Sequence, residues 1–283
     1  MNSMTIQTDR AINQSSSNKT HISDRFVEVP GGQVFVRSWL PEVIRSDIPM
    51  LLLHDSLGSV AQWRSFPQQL AEHLQRPVIA YDRLGFGQST PRQALPSYDF
   101  ITEEADVIFP ALCQSLAIQQ CCLVGHSVGG AMAIAIAALH ANQCKAVITL
   151  AAPVEIHDRL VEGIEEAKQF FAHTESFNKL RKWHGDKTRW VLDAWTETWL
   201  SDEFSSWTIY PYLPRITSPA LAMHGDSDEY GPASLSVRIA EGIKGRGQQA
   251  TIAQCGHIPH AEQTEAVLNL ISTFLENTQE AVR

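Results

Sequence analysis

The chain has 283 residues, of which 44% are hydrophobic, 19% are charged and 8% are aromatic. This composition is ordinary for a globular protein and excludes collagen, coiled coils and wholesale disorder. The formal net charge of -9 repels phosphate backbones and anionic lipid headgroups, so neither nucleic acid nor a membrane is an expected partner.

The chain begins with a polar stretch, and residues 1–22 are predicted to form a flexible tail. This stretch lacks the apolar run of a signal peptide, so we expect a cytoplasmic protein. From Arg25 the residues alternate between apolar and polar around a Gly-Gly pair, which predicts a β-hairpin. The five cysteines have no metal-ligand or disulfide spacing and are expected to be buried free thiols.

Short apolar runs then alternate with helical stretches. The runs, which suit strands covered on both faces, span residues 49–54, 77–82, 121–126, 145–150, 219–224 and 249–254. The helical stretches span about 60–75, 100–118, 127–142, 232–244 and 261–278. This alternation predicts an α/β fold, with a mostly parallel twisted sheet and helices on both of its faces.

The alternation stops between residues 154 and 214. This segment has no strand-like run, is helical in character and holds five of the seven tryptophans. We interpret it as an inserted helical cap, or lid, over a core formed by residues 23–153 and 215–283. Most of its tryptophans are expected to form the small core of the insertion, with one or two facing a ligand.

The strongest local motif is Gly125-His126-Ser127-Val128-Gly129-Gly130, between a buried strand and an Ala-rich helix. A serine on such a sharp turn needs small residues two positions before and after it, and here both are glycine. The turn would present the Ser127 hydroxyl at the carboxyl end of the sheet. A nucleophilic serine also needs a base to take its proton and an acid to orient the base.

Two later loops supply candidates for the acid and the base. Acidic residues follow the strand at 219–224, and histidines follow the last strand, so both loops should emerge at the same edge of the sheet as Ser127. Asp226 and Asp228 are the candidate acids. His257 is the candidate base, with His260 and His224 as rivals, whereas His126 and His54 are interpreted as structural donors.

The chain resembles the α/β-hydrolase superfamily from about Arg25 to its C-terminus. The resemblance rests on the segments 54–59 (HDSLGS) and 82–89 (DRLGFGQS), the GHSVGG turn and the two late loops. It implies the order Ser127, Asp228 and His257 for the catalytic residues. The family pattern selects Asp228, three residues after Gly225, and leaves Asp226 to organise the turn.

An oxyanion site is also implied. The N-H of Val128, next to the nucleophile, is one expected donor, and the resemblance assigns the second to the N-H of Ser56. The family usually has glycine where this chain has Asp55. A carboxylate directed at the developing oxyanion would oppose it, so Asp55 is expected to turn away or to pair with a cation.

Other ligand classes find no support in the sequence. The segment 82–89 lacks the third glycine of a dinucleotide site and the GK[ST] of a P-loop, so we interpret it as a tight structural turn, with Arg83 engaging a neighbouring carboxylate. No His, Asp or Glu grouping has metal-ligand spacing. We therefore expect no cofactor and no metal.

The leading hypothesis is a serine hydrolase that cleaves a small carboxylic ester or lactone through an acyl-enzyme. One alternative uses the same residues on a carbon-carbon bond of a ring-cleavage product or on an enol-lactone. Such substrates carry carboxylates, for which the lid offers four candidate cations, Lys168, Arg181, Lys182 and Arg189. A second alternative is a slow or non-catalytic ligand receptor on the same fold. A haloalkane dehalogenase is disfavoured because the nucleophile position holds Ser127 and not Asp.

Overall fold

Eight strands form one mixed sheet in the computed structural model, which describes residues 20–244 and 246–280. The spatial order of the strands is β1-β2-β4-β3-β5-β6-β7-β8. The strands are β1 (His21–Val29), β2 (Gly32–Leu40), β3 (Met50–Leu53), β4 (Val78–Tyr81), β5 (Cys121–His126), β6 (Cys144–Leu150), β7 (Ala220–Gly225) and β8 (Gly247–Ile252).

The predicted hairpin and parallel strands are confirmed. β1 and β2 pair antiparallel, and β2 also runs antiparallel to β4, whereas the strands from β4 through β8 pair parallel. β1 begins at His21, so residues 21 and 22 belong to the sheet and not to the predicted tail. Residues 1–19 of that tail lie outside the described residues.

The helices pack on both faces of the sheet. They are α1 (Phe66–Leu74), α2 (Phe100–Glu103), α3 (Phe109–Leu116), α4 (Val128–Leu139), α5 (Asp158–Ala172), α6 (Thr174–His184), α7 (Thr188–Trp199), α8 (Ser234–Gly242), α9 (Pro259–Glu262) and α10 (Thr264–Glu280). A π-helical turn at Glu104–Ile108 joins α2 to α3. Short 3₁₀ turns lie at Val60–Trp63, Gly185–Lys187, Asp202–Phe204 and Leu213–Arg215.

Two hydrophobic clusters, one on each side of the sheet, form the core. In β3, Leu51 and Leu53 pack in the cluster shared with α4, whereas Met50 and Leu52 pack in the cluster shared with α1 and α10. All four side chains are fully buried, which explains why the strand is a continuous apolar run and not an alternating one. The five cysteines are buried free thiols, as expected.

Three helices, α5, α6 and α7, occupy the segment between β6 and β7 where the alternation of strands stops. An isolated antiparallel β-bridge pairs Glu155 with Thr208, so the two ends of this segment lie side by side. The boundaries 154 and 214 as those of a separate unit stay a prediction. Within the described residues no helix is both long and apolar enough to cross a membrane; the cytoplasmic location stays a prediction.

Candidate active site

Ser127 lies on the turn between β5 and α4, with φ 53° and ψ -125°. Its N-H donates to the carbonyl oxygen of Leu150 at 2.8 Å. A Cβ atom at Gly125 would lie 2.1 Å from the Gly129 oxygen, and one at Gly129 would lie 2.2 Å from the Leu53 oxygen. Backbone meets backbone at both positions, so larger residues would force the turn apart.

Asp228 and His257 meet beside this turn. The two carboxylate oxygens of Asp228 lie 3.0 and 2.9 Å from Nδ1 of His257. An ionised carboxylate can accept hydrogen bonds but cannot donate them, so Nδ1 of His257 carries the proton. Nε2 is therefore the nitrogen that can accept a proton. The N-H of Tyr230 also donates to Asp228, at 2.8 Å. The two predicted residues therefore form a hydrogen-bonded pair.

Asp226 has a different environment from Asp228. Its carboxylate accepts hydrogen bonds from the N-H groups of Gln254 (3.0 Å) and Cys255 (3.2 Å) and from the Ser227 hydroxyl (2.8 Å). These contacts tie the loop after β7 to the loop after β8. The interpretation that Asp226 organises the turn therefore agrees with its contacts.

The charges of the pair follow from these contacts. Burial raises the pKa of Asp228, but hydrogen bonds from His224 and His257 outweigh it and hold the pKa well below its ordinary value. Burial lowers the pKa of His257, but Asp228, with Asp55 and Glu229 at longer range, raises it above its ordinary value overall. Asp228 is therefore ionised at neutral pH and stabilises the imidazolium form of His257.

Ser127 and His257 line the same cavity. No hydrogen bond joins the Ser127 hydroxyl to the imidazole in the described part of the chain. Catalytic hydrogen bonds in unliganded sites are often long and tighten when substrate binds.

His224 is a partner of Asp228 that sequence reasoning considered only as a rival base. Its Nε2 lies 3.0 Å from Asp228 Oδ2, and the side chains of both residues are almost fully buried. His224 comes late in β7, four residues before Asp228, and this proximity in sequence was the available signal. Asp228 therefore accepts from two imidazoles.

The other histidines have structural contacts. His126 contacts the carbonyl oxygen of His257 through Nε2 at 2.7 Å, so that nitrogen donates. His260 is buried with its ring centroid 4.4 Å from that of Trp63 and 5.5 Å from that of Phe66. His54 bridges backbone groups of Asp55 and Arg83.

The two expected oxyanion donors come close together. Ser56 follows β3, Val128 begins α4, and both line one small cleft. The Asp55 carboxylate lies 3.7 Å from Nδ1 of His126. Burial lowers the pKa of His126, so this neighbour is a neutral imidazole, and of the two expected arrangements of Asp55 the pairing with a cation is not seen at His126.

The segment 82–89 is the tight turn that was predicted. The carboxylate of Asp82 accepts hydrogen bonds from the N-H groups of Val60 (2.6 Å) and Gln88 (2.7 Å), and its carbonyl oxygen accepts one from the Ser89 hydroxyl (2.6 Å). Arg83 contacts no carboxylate by a salt bridge among the described residues. Its guanidinium donates to the carbonyl oxygen of Asp55 at 2.8 Å. The neighbouring carboxylate that was expected is the buried Glu104, whose charge acts on Arg83 without a salt bridge.

Comparison with known proteins agrees with this geometry. Residues 48–189 match the family model described as alpha/beta hydrolase fold. The chain belongs to the α/β hydrolase fold family. It is a hydrolase, and its mostly parallel sheet is the one that the resemblance implies.

Similar proteins differ in the reactions their names describe. The chain is 26% identical over 265 residues to a 2-hydroxymuconate semialdehyde hydrolase of Pseudomonas sp. strain CF600, covering 82% of this chain and 88% of that protein. It is 23% identical over 268 residues to the esterase YbfF of Escherichia coli K12, covering 86% and 98%. The structure of a thermophilic esterase from Thermogutta terrifontis has a TM-score of 0.68 at 19% identity, covering 90% of this chain and 99% of that one.

The cavity of this α/β hydrolase has a volume of about 360 Å³ and lies between the sheet edge and the segment 154–214. Trp183, Trp195 and Trp199 line it, one more tryptophan than expected. Trp190 instead packs on Phe86, and Trp207 stacks on Phe204. Phe170, Phe171 and Tyr230 also line the cavity, so aromatic side chains form part of its wall.

His184 connects α6 to two core loops of the hydrolase. Its Nε2 donates to the carbonyl oxygen of Leu57 at 2.9 Å, and its Nδ1 accepts from the N-H of Gly87 at 3.0 Å. Only the neutral imidazole can fill both roles. Burial lowers the pKa of His184 to about 4, which agrees with this neutral state.

We expect the His184 contact to make folding sensitive to acid. Because its folded pKa of about 4 lies below the unfolded value of 6.5, the unfolded state binds more protons between these pH values. The free energy of unfolding should therefore fall as pH decreases from 6.5 to 4, and this contribution should not fall further below that range. Urea unfolding at several pH values measures it. A His184→Gln variant, which keeps one donor and one acceptor without titrating, should show a shallower decrease; an equal slope would contradict the assignment.

Proposed function

We propose that this hydrolase cleaves a small, neutral carboxylic ester or lactone through an acyl-enzyme on Ser127. The observation that carries the proposal is the hydrogen-bonded Asp228–His257 pair beside the strained Ser127 turn, in an aromatic cavity. The segment 154–214 would act as the cap that limits substrate size.

The mechanism follows from the roles of the groups. His257 Nε2 takes the proton of the Ser127 hydroxyl as the serine oxygen attacks the acyl carbon, while Asp228 stabilises the imidazolium. The N-H groups of Val128 and Ser56 stabilise the oxyanion. The imidazolium gives its proton to the leaving alcohol, and His257 then activates a water that hydrolyses the acyl-enzyme.

The charges of the cavity favour a neutral substrate over the carboxylated products that carbon-carbon hydrolases cleave. Asp55, Asp228 and Glu229 line the cavity, and in the described chain Lys179 is the one Lys or Arg side chain among the lining residues. Lys179 is exposed and already pairs with Glu175 at 3.2 Å.

The four candidate cations of the lid do not line the cavity. Lys168 pairs with Glu197, Arg181 with Asp186 and Arg189 with Asp193, all at the surface. A substrate carboxylate would therefore meet like charges and few cations. The carbon-carbon alternative thus has less support in the cavity than ester hydrolysis has.

The first test concerns the nucleophile. Ser127→Ala should abolish hydrolysis of 4-nitrophenyl hexanoate and labelling by a fluorophosphonate probe, because the variant has no alcohol to acylate. Circular dichroism should show an unchanged fold. Full activity in this variant would refute the proposal. A folded wild type that neither hydrolyses esters nor reacts with the probe would favour a ligand receptor.

The second test separates the acid from its neighbour. Asp228→Asn should lower kcat by roughly 10³- to 10⁴-fold, the order expected when the base loses its orienting carboxylate. Since Asp228 raises the pKa of His257, the acid limb of the kcat/KM profile should lie above pH 6.5 in wild type and move lower in the variant. The matched control Asp226→Asn removes an equal charge from the same loop and weakens the contacts between the two loops, but it leaves the Asp228 carboxylate on His257. Its kcat should therefore fall much less than that of Asp228→Asn, and its acid limb should stay near that of wild type. Equal effects of the two variants would contradict the assignment.

The third test concerns substrate charge. The hexanoyl and adipoyl esters of 4-nitrophenol have acyl chains of equal length, but the second ends in a carboxylate. We expect kcat/KM to be about tenfold or more lower for the adipoyl ester, on the order of two like charges interacting several ångströms apart. Asp55→Asn should reduce the difference in kcat/KM between the two esters, whereas Glu265→Gln, which removes a charge from a residue that does not line the cavity, should not. A preference for the adipoyl ester would favour the carbon-carbon alternative.

A further inference from the structure

The peptide group between Asp55 and Ser56 has two functional ends. Its N-H is the expected second oxyanion donor, and its carbonyl belongs to Asp55. Because a trans peptide is planar, the carbonyl and the N-H point in opposite directions. Whatever holds the carbonyl oxygen therefore sets the direction of the Ser56 N-H.

Side chains from two loops hold this carbonyl oxygen. Arg83 Nη2 donates to it at 2.8 Å, and His54 Nδ1 donates at 2.8 Å. The N-H of Gly58 lies at 3.3 Å from the same oxygen. Three donors on one carbonyl restrain the peptide plane much more than the loop backbone would alone.

Arg83 is itself fixed in place. Its side chain is buried, and its guanidinium carbon lies 4.2 Å from the centre of the Phe86 ring. Its backbone N-H donates to Nε2 of His54 at 3.1 Å. Because Nε2 of His54 accepts this hydrogen bond, the proton of the imidazole is on Nδ1, which donates it to the Asp55 carbonyl. The backbone of Arg83 therefore also orients His54 toward that carbonyl.

Burying the Arg83 guanidinium is costly, and the nearby charges of Glu104 and Asp55 offset part of that cost. In the described chain no carboxylate forms a salt bridge with Arg83, and its Nε has no hydrogen-bond partner. Among the described residues the Asp55 carbonyl is thus the hydrogen-bond acceptor of the guanidinium, whereas Glu104 acts on it only through its charge. The side chain lines the same small cleft as Ser56 and Val128.

We propose that Arg83 is a positioning residue for the oxyanion site, which orients the Ser56 N-H by holding the Asp55 carbonyl. This inference rests on the proposed serine-hydrolase mechanism. The cation also polarises the peptide, which makes its N-H a stronger donor to the developing negative oxygen. Arg83 acts through the peptide and does not itself contact the substrate.

Kinetics of Arg83→Met test this role. Because the N-H is misdirected and not removed, we expect kcat for 4-nitrophenyl hexanoate to fall about 10- to 100-fold, less than the loss of a whole donor. An alkyl trifluoromethyl ketone, which adds to Ser127 and forms an oxyanion, should bind more weakly by a similar factor. KM and the affinity for the matching methyl ketone, which stays a planar carbonyl, should be nearly unchanged. A merely structural role would change all four quantities together.

Two further variants complete the design. Arg92→Met, the same change at a half-exposed arginine of the loop that follows, should keep wild-type kinetics. Arg83→Lys keeps a cation that can donate a hydrogen bond, so it should retain a higher kcat than Arg83→Met. If Arg83→Met does not fold, a kcat below that of wild type at unchanged KM in Arg83→Lys would support the inference.

Two results would overturn this inference but leave the proposed function standing. One is a wild-type kcat in a folded Arg83 variant, and the other is a parallel loss in kcat, KM and both inhibitor affinities. A wild type that neither hydrolyses esters nor reacts with a fluorophosphonate would overturn the proposed function and this inference together.

Discussion

The site depends on a strained backbone conformation at one residue. Ser127 has a positive φ, a conformation that costs a non-glycine residue on the order of 1–3 kcal/mol. The hydrogen bond of its N-H to Leu150 and the close backbone contacts at Gly125 and Gly129 hold it there. Because α4 begins directly after this turn, the serine emerges where the loops after β7 and β8 bring the acid and the base.

Neutral histidines then fix the loops around that serine. His54 donates to the Asp55 carbonyl and accepts from the Arg83 N-H, and His184 donates to the Leu57 carbonyl and accepts from the Gly87 N-H. Each imidazole uses one nitrogen as donor and the other as acceptor, which requires the neutral form. Burial lowers the pKa of both histidines and so maintains that form. The loop that offers Ser56 is therefore tied to the loop after β4 at two points.

The elements and the acid–base pair were predictable because their signals are local. The strands from β3 to β7 are short apolar runs, and the pattern of the family that the chain resembles selected Asp228 over Asp226. The partners of the site were less predictable because they join distant segments: His184 contacts Leu57 across 127 positions of sequence. Arg83 was expected to engage a carboxylate, and the charge of Glu104 does act on it, but its hydrogen bond to the Asp55 carbonyl was not foreseen. No local pattern marks such a contact.

Asp55 shows how opposing charges can be arranged around one peptide. Its carboxylate lies at the cavity and repels anions, including the oxyanion of the proposed mechanism. Its carbonyl, in contrast, is held by the Arg83 guanidinium, whose positive charge favours that same oxyanion through the Ser56 N-H. The carboxylate also helps to raise the pKa of His257, which favours the imidazolium that forms at the same moment. An acidic residue at a position where glycine is usual is thus compatible with catalysis, because the charge that opposes the oxyanion also stabilises the cation formed beside it.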